Sequence, residues 1–246
     1  MPRINGLDEF IDHYLTEGKP VTDLNQVKTV DDHIPYQGVK YDRSDVRFAH
    51  VPLMSYLKDR ELKLPEQMEA LIENMPAGTF IAGGSVATLM NDQSAEGTYA
   101  KMYPSDIDLF FANQEAADAA IKLLEFAGKE VQGPEGVRMF APRADGGGLP
   151  VQAITIEWFP NGIEEVLDSF DFTVTHFGID TAAKELVFNP VAPLDFTARR
   201  LLNHRVEGDE WAKKRLAKYI GKGLHPVGET AVRAKAWGLP FVGMFK

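Results

Sequence analysis

No cysteine occurs anywhere in the chain, so disulfides, thiolate metal sites and cysteine nucleophiles are excluded. No apolar run approaches the roughly 20 residues that span a bilayer. The opening stretch MPRINGLDEF has no apolar signal core, and together these two absences predict a cytoplasmic location. Phosphate-binding motifs of the GxxxxGKS/T and GxGxxG types are missing, as are HxxxH and HExxH pairs. P-loop, dinucleotide-fold and histidine-metal readings therefore fall away. Positive charge is also scarce, since 26 Lys and Arg against 36 Asp and Glu leave −10 over 246 residues. That balance argues against general binding to duplex DNA through its phosphates.

The charge is unevenly spread. Residues 1–198 hold 15 Lys/Arg against 32 Asp/Glu, a balance of −17, whereas residues 199–246 hold 11 against 4, a balance of +7. With 44% hydrophobic residues, the chain has the composition of an ordinary globular protein able to bury a sizeable core. Residues 1–62 read as an arm or flap with a short helix at 7–15, residues 63–193 as an α+β core, and residues 194–246 as a small, basic, helical C-terminal domain. Helical spacing of Met68, Leu71, Ile72 and Met75 predicts a helix over 64–75, and an alanine-rich stripe predicts another over 114–127. Strands are expected at 79–84, 107–113, 137–142, 150–159, 170–180 and 185–189. From about Leu194 the chain reads as helical, with one segment at 195–206 and another from an Asp209 cap to Gly221 or Gly223.

Two short segments carry the chemistry. IAGGSVATLM at 81–90 places Gly83, Gly84 and Ser85 between a buried strand and a helix. Glycines let a backbone approach phosphate closely. A helix start presents unpaired N–H groups, with Ser85 as its expected N-cap. Twenty residues on, SDIDLFF at 105–111 sets Asp106 and Asp108 two positions apart on a strand, so both carboxylates share one face. Such a pair repels unless a cation lies between its members, and hard divalent ions are held by carboxylates together with substrate phosphates.

Strand, GGS turn, helix, then a strand bearing DID resembles the nucleotidyltransferase superfamily of DNA polymerase β, the CCA-adding enzymes and the antibiotic nucleotidyltransferases. The run of GGSVA, SDIDLFF, VQAITI, SFDFTVTHFGID and KRLAKYIGKG is most similar to the nucleotidyltransferase-like proteins of bacteriophages and large DNA viruses, over roughly residues 78–225. For a viral protein the expected location becomes the host cytoplasm. The gap from Ser85 to Asp106 is longer than the superfamily's usual ten or so residues, and the added loop offers Tyr99, Lys101 and Tyr103 to a flap.

The resemblance implies a nucleotidyltransferase-type mixed sheet with flanking helices. It also implies Mg²⁺ or Mn²⁺, two ions, a nucleoside triphosphate, and an acceptor hydroxyl on RNA, a protein or a small molecule. Asp106 and Asp108 would be the metal and catalytic carboxylates. The third acid falls to Asp171, read as sharing a strand face with Thr173 and Thr175, with Glu157 as the alternative; relatives often carry it at the position of Gln152. Gly83, Gly84 and Ser85 would grip phosphates. Arg215, Lys218 and Lys222 recur at i, i+3 and i+7 on the last long helix. Arg215, Lys218 and Tyr219 would face the nucleotide, with Trp211 as a second stacking ring. A catalytically silent binder of nucleotide or host protein is the rival reading. A calcium loop is not, because SDIDLFF lacks the glycine and later glutamate of an EF-hand.

Overall fold

The structure is a computed structural model that describes residues 46–90, 104–142, 148–205, 210–227 and 229–239. The helix expected at 7–15, the loop residues Tyr99, Lys101 and Tyr103, the cap Asp209 and the side chain of Trp211 lie outside the described residues.

Eight strands make one mixed sheet. They are β1 (Ala49–Pro52), β2 (Thr79–Ala82), β3 (Ile107–Phe111), β4 (Gly128–Val131), β5 (Val137–Pro142), β6 (Val151–Ile154), β7 (Phe177–Asp180) and β8 (Glu185–Phe188), in the order β1-β8-β7-β2-β3-β6-β5-β4. Only β3 and β6 run parallel, with Asp108 opposite Gln152; every other neighbour pairs antiparallel. The centre is apolar because β2, TFIA, is buried at all four positions. In β3, Ile107, Leu109 and Phe111 are buried while Asp108 is half-buried, as alternation requires. Phe111, Phe172, Phe177 and Phe188 are fully buried, each burial stabilising the fold by about 1.5–3 kcal/mol before entropy is counted.

Helices α1 (Leu53–Asp59), α2 (Glu66–Asn74), α3 (Gly84–Met90), α4 (Gln114–Ala127), α5 (Ile163–Asp168) and α6 (Ala192–Thr197) flank the sheet. The alanine-rich face of α4 is buried through Ala116, Ala117, Ala120, Ile121 and Leu124, and Asn113 caps it by accepting from the Ala116 N–H at 3.0 Å. Two further helices, α7 (Glu210–Gly221) and α8 (Glu229–Ala236), follow, with the two-residue strands β9 (Arg200–Leu201) and β10 (His225–Pro226) paired in parallel. Ala212 and Leu216 of α7 and Ala234 of α8 join the same buried cluster as the sheet. No described helix is long and apolar enough to cross a membrane.

Several expectations are corrected. Residues 49–59 form an edge strand and a helix whose Leu53, Tyr56 and Leu57 are buried; Pro52 lacks an N–H and suits an edge. Residues 170–180 are not one strand. Thr173–Thr175 form a 3₁₀ turn before β7, because the Thr175 hydroxyl donates to the Phe172 carbonyl at 2.8 Å and its N–H does so at 3.1 Å. Local hydroxyl bonds of this kind compete with a ladder. The strand expected over 150–159 ends at Ile154, and an additional strand, β4, follows α4 directly. The helix expected over 195–206 stops at Thr197, with Arg199 at φ +53° turning the chain into β9.

Candidate active site

The turn after β2 is built on Gly83, whose φ of +93° lies in the left-handed region, open to glycine without strain. Its N–H donates to the Phe177 carbonyl at 2.9 Å, and its own carbonyl accepts from Ala87, so Gly83 occupies the cap position expected of Ser85. A Cβ added here would stand 3.7 Å from the Phe170 ring and 3.8 Å from Asp108 Oδ2. At Gly84 a Cβ would meet nothing within 4 Å, so open space lies against the start of α3.

Asp108 stands opposite Ala82, the residue before this turn, across the β2–β3 ladder. Its carboxyl is pushed up to about 7, first by burial and then by the negative charge of Asp106, with Lys218 acting in the opposite direction. Two neighbouring carboxylates of this kind favour a proton, or a cation, over two bare charges. Asp106 accepts a hydrogen bond from Gln152 Nε2 at 2.8 Å.

The cavity in front of these residues is about 340 Å³. Seven of the nine expected site residues line it: Gly83, Gly84 and Asp108 from the sheet side, Asp171, and Arg215, Lys218 and Tyr219 from α7. Asp106 adjoins through its field on Asp108. Ser85 does not line it. Ser85 sits inside the first turn of α3, buried, its hydroxyl without a hydrogen-bond partner among the described residues, and it borders a separate cavity with Gln67 and Leu149.

Asp171 is engaged by Arg215, whose Nε donates to Asp171 Oδ2. It is not placed by strand alternation but by an isolated bridge from Phe172 to Asn203 and by its own carbonyl, which accepts from the His204 N–H at 2.7 Å. Tyr219 packs edge-on against Phe172, with ring centres 5.6 Å apart. Burial and the charges of Asp108, Asp106 and Asp171 raise its hydroxyl pKa. The ring expected to stack on a base is thus already partly in the core. Lys222 extends over the Tyr219 ring at 6.0 Å, and burial, then Lys218, lower its pKa.

Glu157 borders the same cavity, with Phe110, Phe170 and the exposed Ile156. Phe170 carried no expected role in the sequence; Gln152 was marked there only as the position where relatives often carry the third acid, and it gains its partner through the β3–β6 register. Among the described residues no three acidic or histidine side chains gather as a metal site. The Asp106–Asp108 pair nonetheless fits a hard divalent ion, because it supplies adjacent carboxylate oxygens whose mutual repulsion a cation relieves.

A family model described as Gad2, Gabija anti-defense 2 family protein, matches residues 53–199. No curated protein matches the chain. Among solved structures, a CCA-adding enzyme with ATP aligns with TM-score 0.56 and 16% identity over 76% of this chain and 46% of that one. A CCA-adding enzyme with CTP gives 0.54 and 16% over 77% and 47%. The Thermotoga maritima CCA-adding enzyme complexed with tRNA gives 0.53 and 16% over 76% and 45%. The chain thus shares the nucleotidyltransferase fold and spans less than half the length of these enzymes.

Proposed function

The chain belongs to the Gabija anti-defense 2 family, and from its fold and the site's geometry we propose that it is a divalent-cation-dependent nucleotidyltransferase. The observation that carries this reading is the convergence of the Gly83–Gly84 turn, Asp108 and the α7 cations on one cavity. Open space over Gly84 admits a triphosphate against the start of α3. Lys218 is exposed and its charge reaches Asp108. The Nη groups of Arg215 make no hydrogen bond among the described residues. Both side chains are therefore available to phosphate oxygens, and the +7 balance of residues 199–246 supplies the complementary field.

Asp106 and Asp108 would hold Mg²⁺, which when bound neutralises triphosphate charge and polarises the phosphoryl oxygens. The acceptor's hydroxyl oxygen forms a bond to the α-phosphorus, the α–β bridging bond breaks, and pyrophosphate leaves. Glu157, exposed on the cavity wall and in no ion pair among the described residues, takes the hydroxyl proton. The chain's own contribution is positioning and electrostatic preorganisation. The solved enzymes of similar fold were captured with CTP, ATP and tRNA; a nucleoside triphosphate and an acceptor of RNA, protein or small-molecule type extend that to this chain. The anti-defense description of the family supports an acceptor within a defence apparatus, and a cytoplasmic, virally encoded protein suits that reading.

A second reading, a silent binder, draws support from the neutralisation of Asp171 by Arg215. Pyrophosphate release with Mg²⁺, nucleoside triphosphates and cell extract separates the two. Asp106→Ala with Asp108→Ala abolishes metal-dependent turnover if the chain is an enzyme, and unchanged turnover defeats the assignment. Nucleotide binding without any product supports the silent reading.

A further inference from the structure

Resting on the nucleotidyltransferase reading, we infer that this site takes one divalent cation rather than two, because an amide, Gln152, stands beside the Asp106–Asp108 pair where a third acid could stand, and Arg215 engages Asp171. Two ions about 3.5–4 Å apart require shared and additional oxygen ligands, and a small hard cation demands near-complete octahedral coordination. The structure provides one carboxylate pair for this purpose.

Gln152 lies opposite Asp108 in the parallel β3–β6 register, so the position that could bring an acid beside the pair brings an amide. Its Nε2 stands 2.8 Å from Asp106 Oδ2. A carboxylate accepts and does not donate, so the amide nitrogen faces it and the carbonyl oxygen is turned elsewhere. That N–H engages a lone pair of Asp106 and sets a partial positive charge next to it. From α7 the Arg215 guanidinium donates through Nε to Asp171 Oδ2. Asp171, which lines the cavity, thereby has its charge offset by Arg215. Glu157 lines the cavity, yet among the described residues it belongs to no group of three acids or histidines able to hold a metal.

The remaining oxygen donors, Asp106 and Asp108, seat one ion, with triphosphate oxygens and water completing its shell. Activation of the acceptor hydroxyl then depends on a protein base and not on a second cation.

Mn²⁺ binding to the full chain with α,β-methylene-ATP, followed by calorimetry and electron paramagnetic resonance, tests the inference independently of turnover. One Mn²⁺ per chain and no spin-coupled pair signal is the expected result. Two Mn²⁺ with a coupled signal in the wild-type chain overturns the inference and leaves the proposed reaction standing. No Mn²⁺ with or without the analogue overturns the reading itself, and the inference with it. Gln152→Asp, checked for folding by circular dichroism, gains a second Mn²⁺ and the coupled signal. A folded variant that still binds one ion removes Gln152 from the explanation. The wild-type count decides the matter even where the variant fails to fold.

Discussion

The two acidic sides of the cavity are built in opposite ways. Asp106 just precedes β3 and Asp108 lies on it, and the carboxyl of Asp108 is pushed up to about 7 by burial and by its neighbour. Asp171, which also lines the cavity, is met by Arg215, and its charge is offset there. A carboxylate without a counterion in a partly buried site costs stability, whereas a paired one does not. The difference separates the Asp108 carboxyl, whose anion burial and a like charge disfavour, from Asp171, which has a cation beside it.

The largest expected consequence of that difference is in stability. The folded-state pKa of Asp108 is raised above its unfolded value of 3.8, so the folded chain retains a proton that the unfolded chain releases. Stability therefore falls as pH rises from about 4 to about 7 and levels off above that. Asp108→Asn removes this loss, so the variant's excess stability over wild type grows by at most about 3 kcal/mol between pH 5 and pH 8. Urea denaturation at the two pH values without divalent ions measures it, and Mg²⁺ narrows the gap by stabilising the wild type alone. An excess that does not change with pH contradicts the strained-pair account.

On the opposite side, Asp171→Asn removes a carboxylate already neutralised by its partner. Turnover falls about tenfold, roughly 1.4 kcal/mol, through loosening of α7, with the larger share of the loss in KM for the nucleotide. A loss as deep as that of the Asp106/Asp108 double variant makes Asp171 an equal member of the site and erases the contrast.

Ser85→Ala carries the smallest effect. Its hydroxyl is buried without a partner among the described residues and borders the other cavity. Removal changes stability by less than about 1 kcal/mol, in the stabilising direction, and leaves nucleotide affinity within about threefold. A tenfold loss of affinity in calorimetry restores Ser85 to the phosphate grip.

The same contrast governs how much was legible in the sequence. β3 was readable because Ile107, Leu109 and Phe111 alternate with Asp108, and α4 because its alanines repeat at helical spacing; both patterns are local. The mixed α+β sheet and its likeness to nucleotidyltransferases followed from the order of these local signals. The 170–180 segment was not readable as it folds. Threonine is a strand former, yet the Thr175 hydroxyl closes a turn on Phe172 and that of Thr173 donates to buried Asp195, a partner 22 residues away. β9 and β10 have two residues each, too few for a period. Gln152 was marked only through the resemblance, as a position where relatives often carry an acid, and its hydrogen bond to Asp106 depends on which residue of β3 lies opposite. Arg215 was marked for its charge, but its partner, Asp171, is set by packing and not by spacing.

Nucleotide binding as a function of Mg²⁺ tests the central claim most directly. Isothermal titration of the full chain with α,β-methylene-ATP should show binding that requires Mg²⁺ and disappears when Asp106 and Asp108 are both changed to Asn. Binding of equal strength without Mg²⁺ or in that variant, or no binding at all, would contradict a cation-and-triphosphate site on β3.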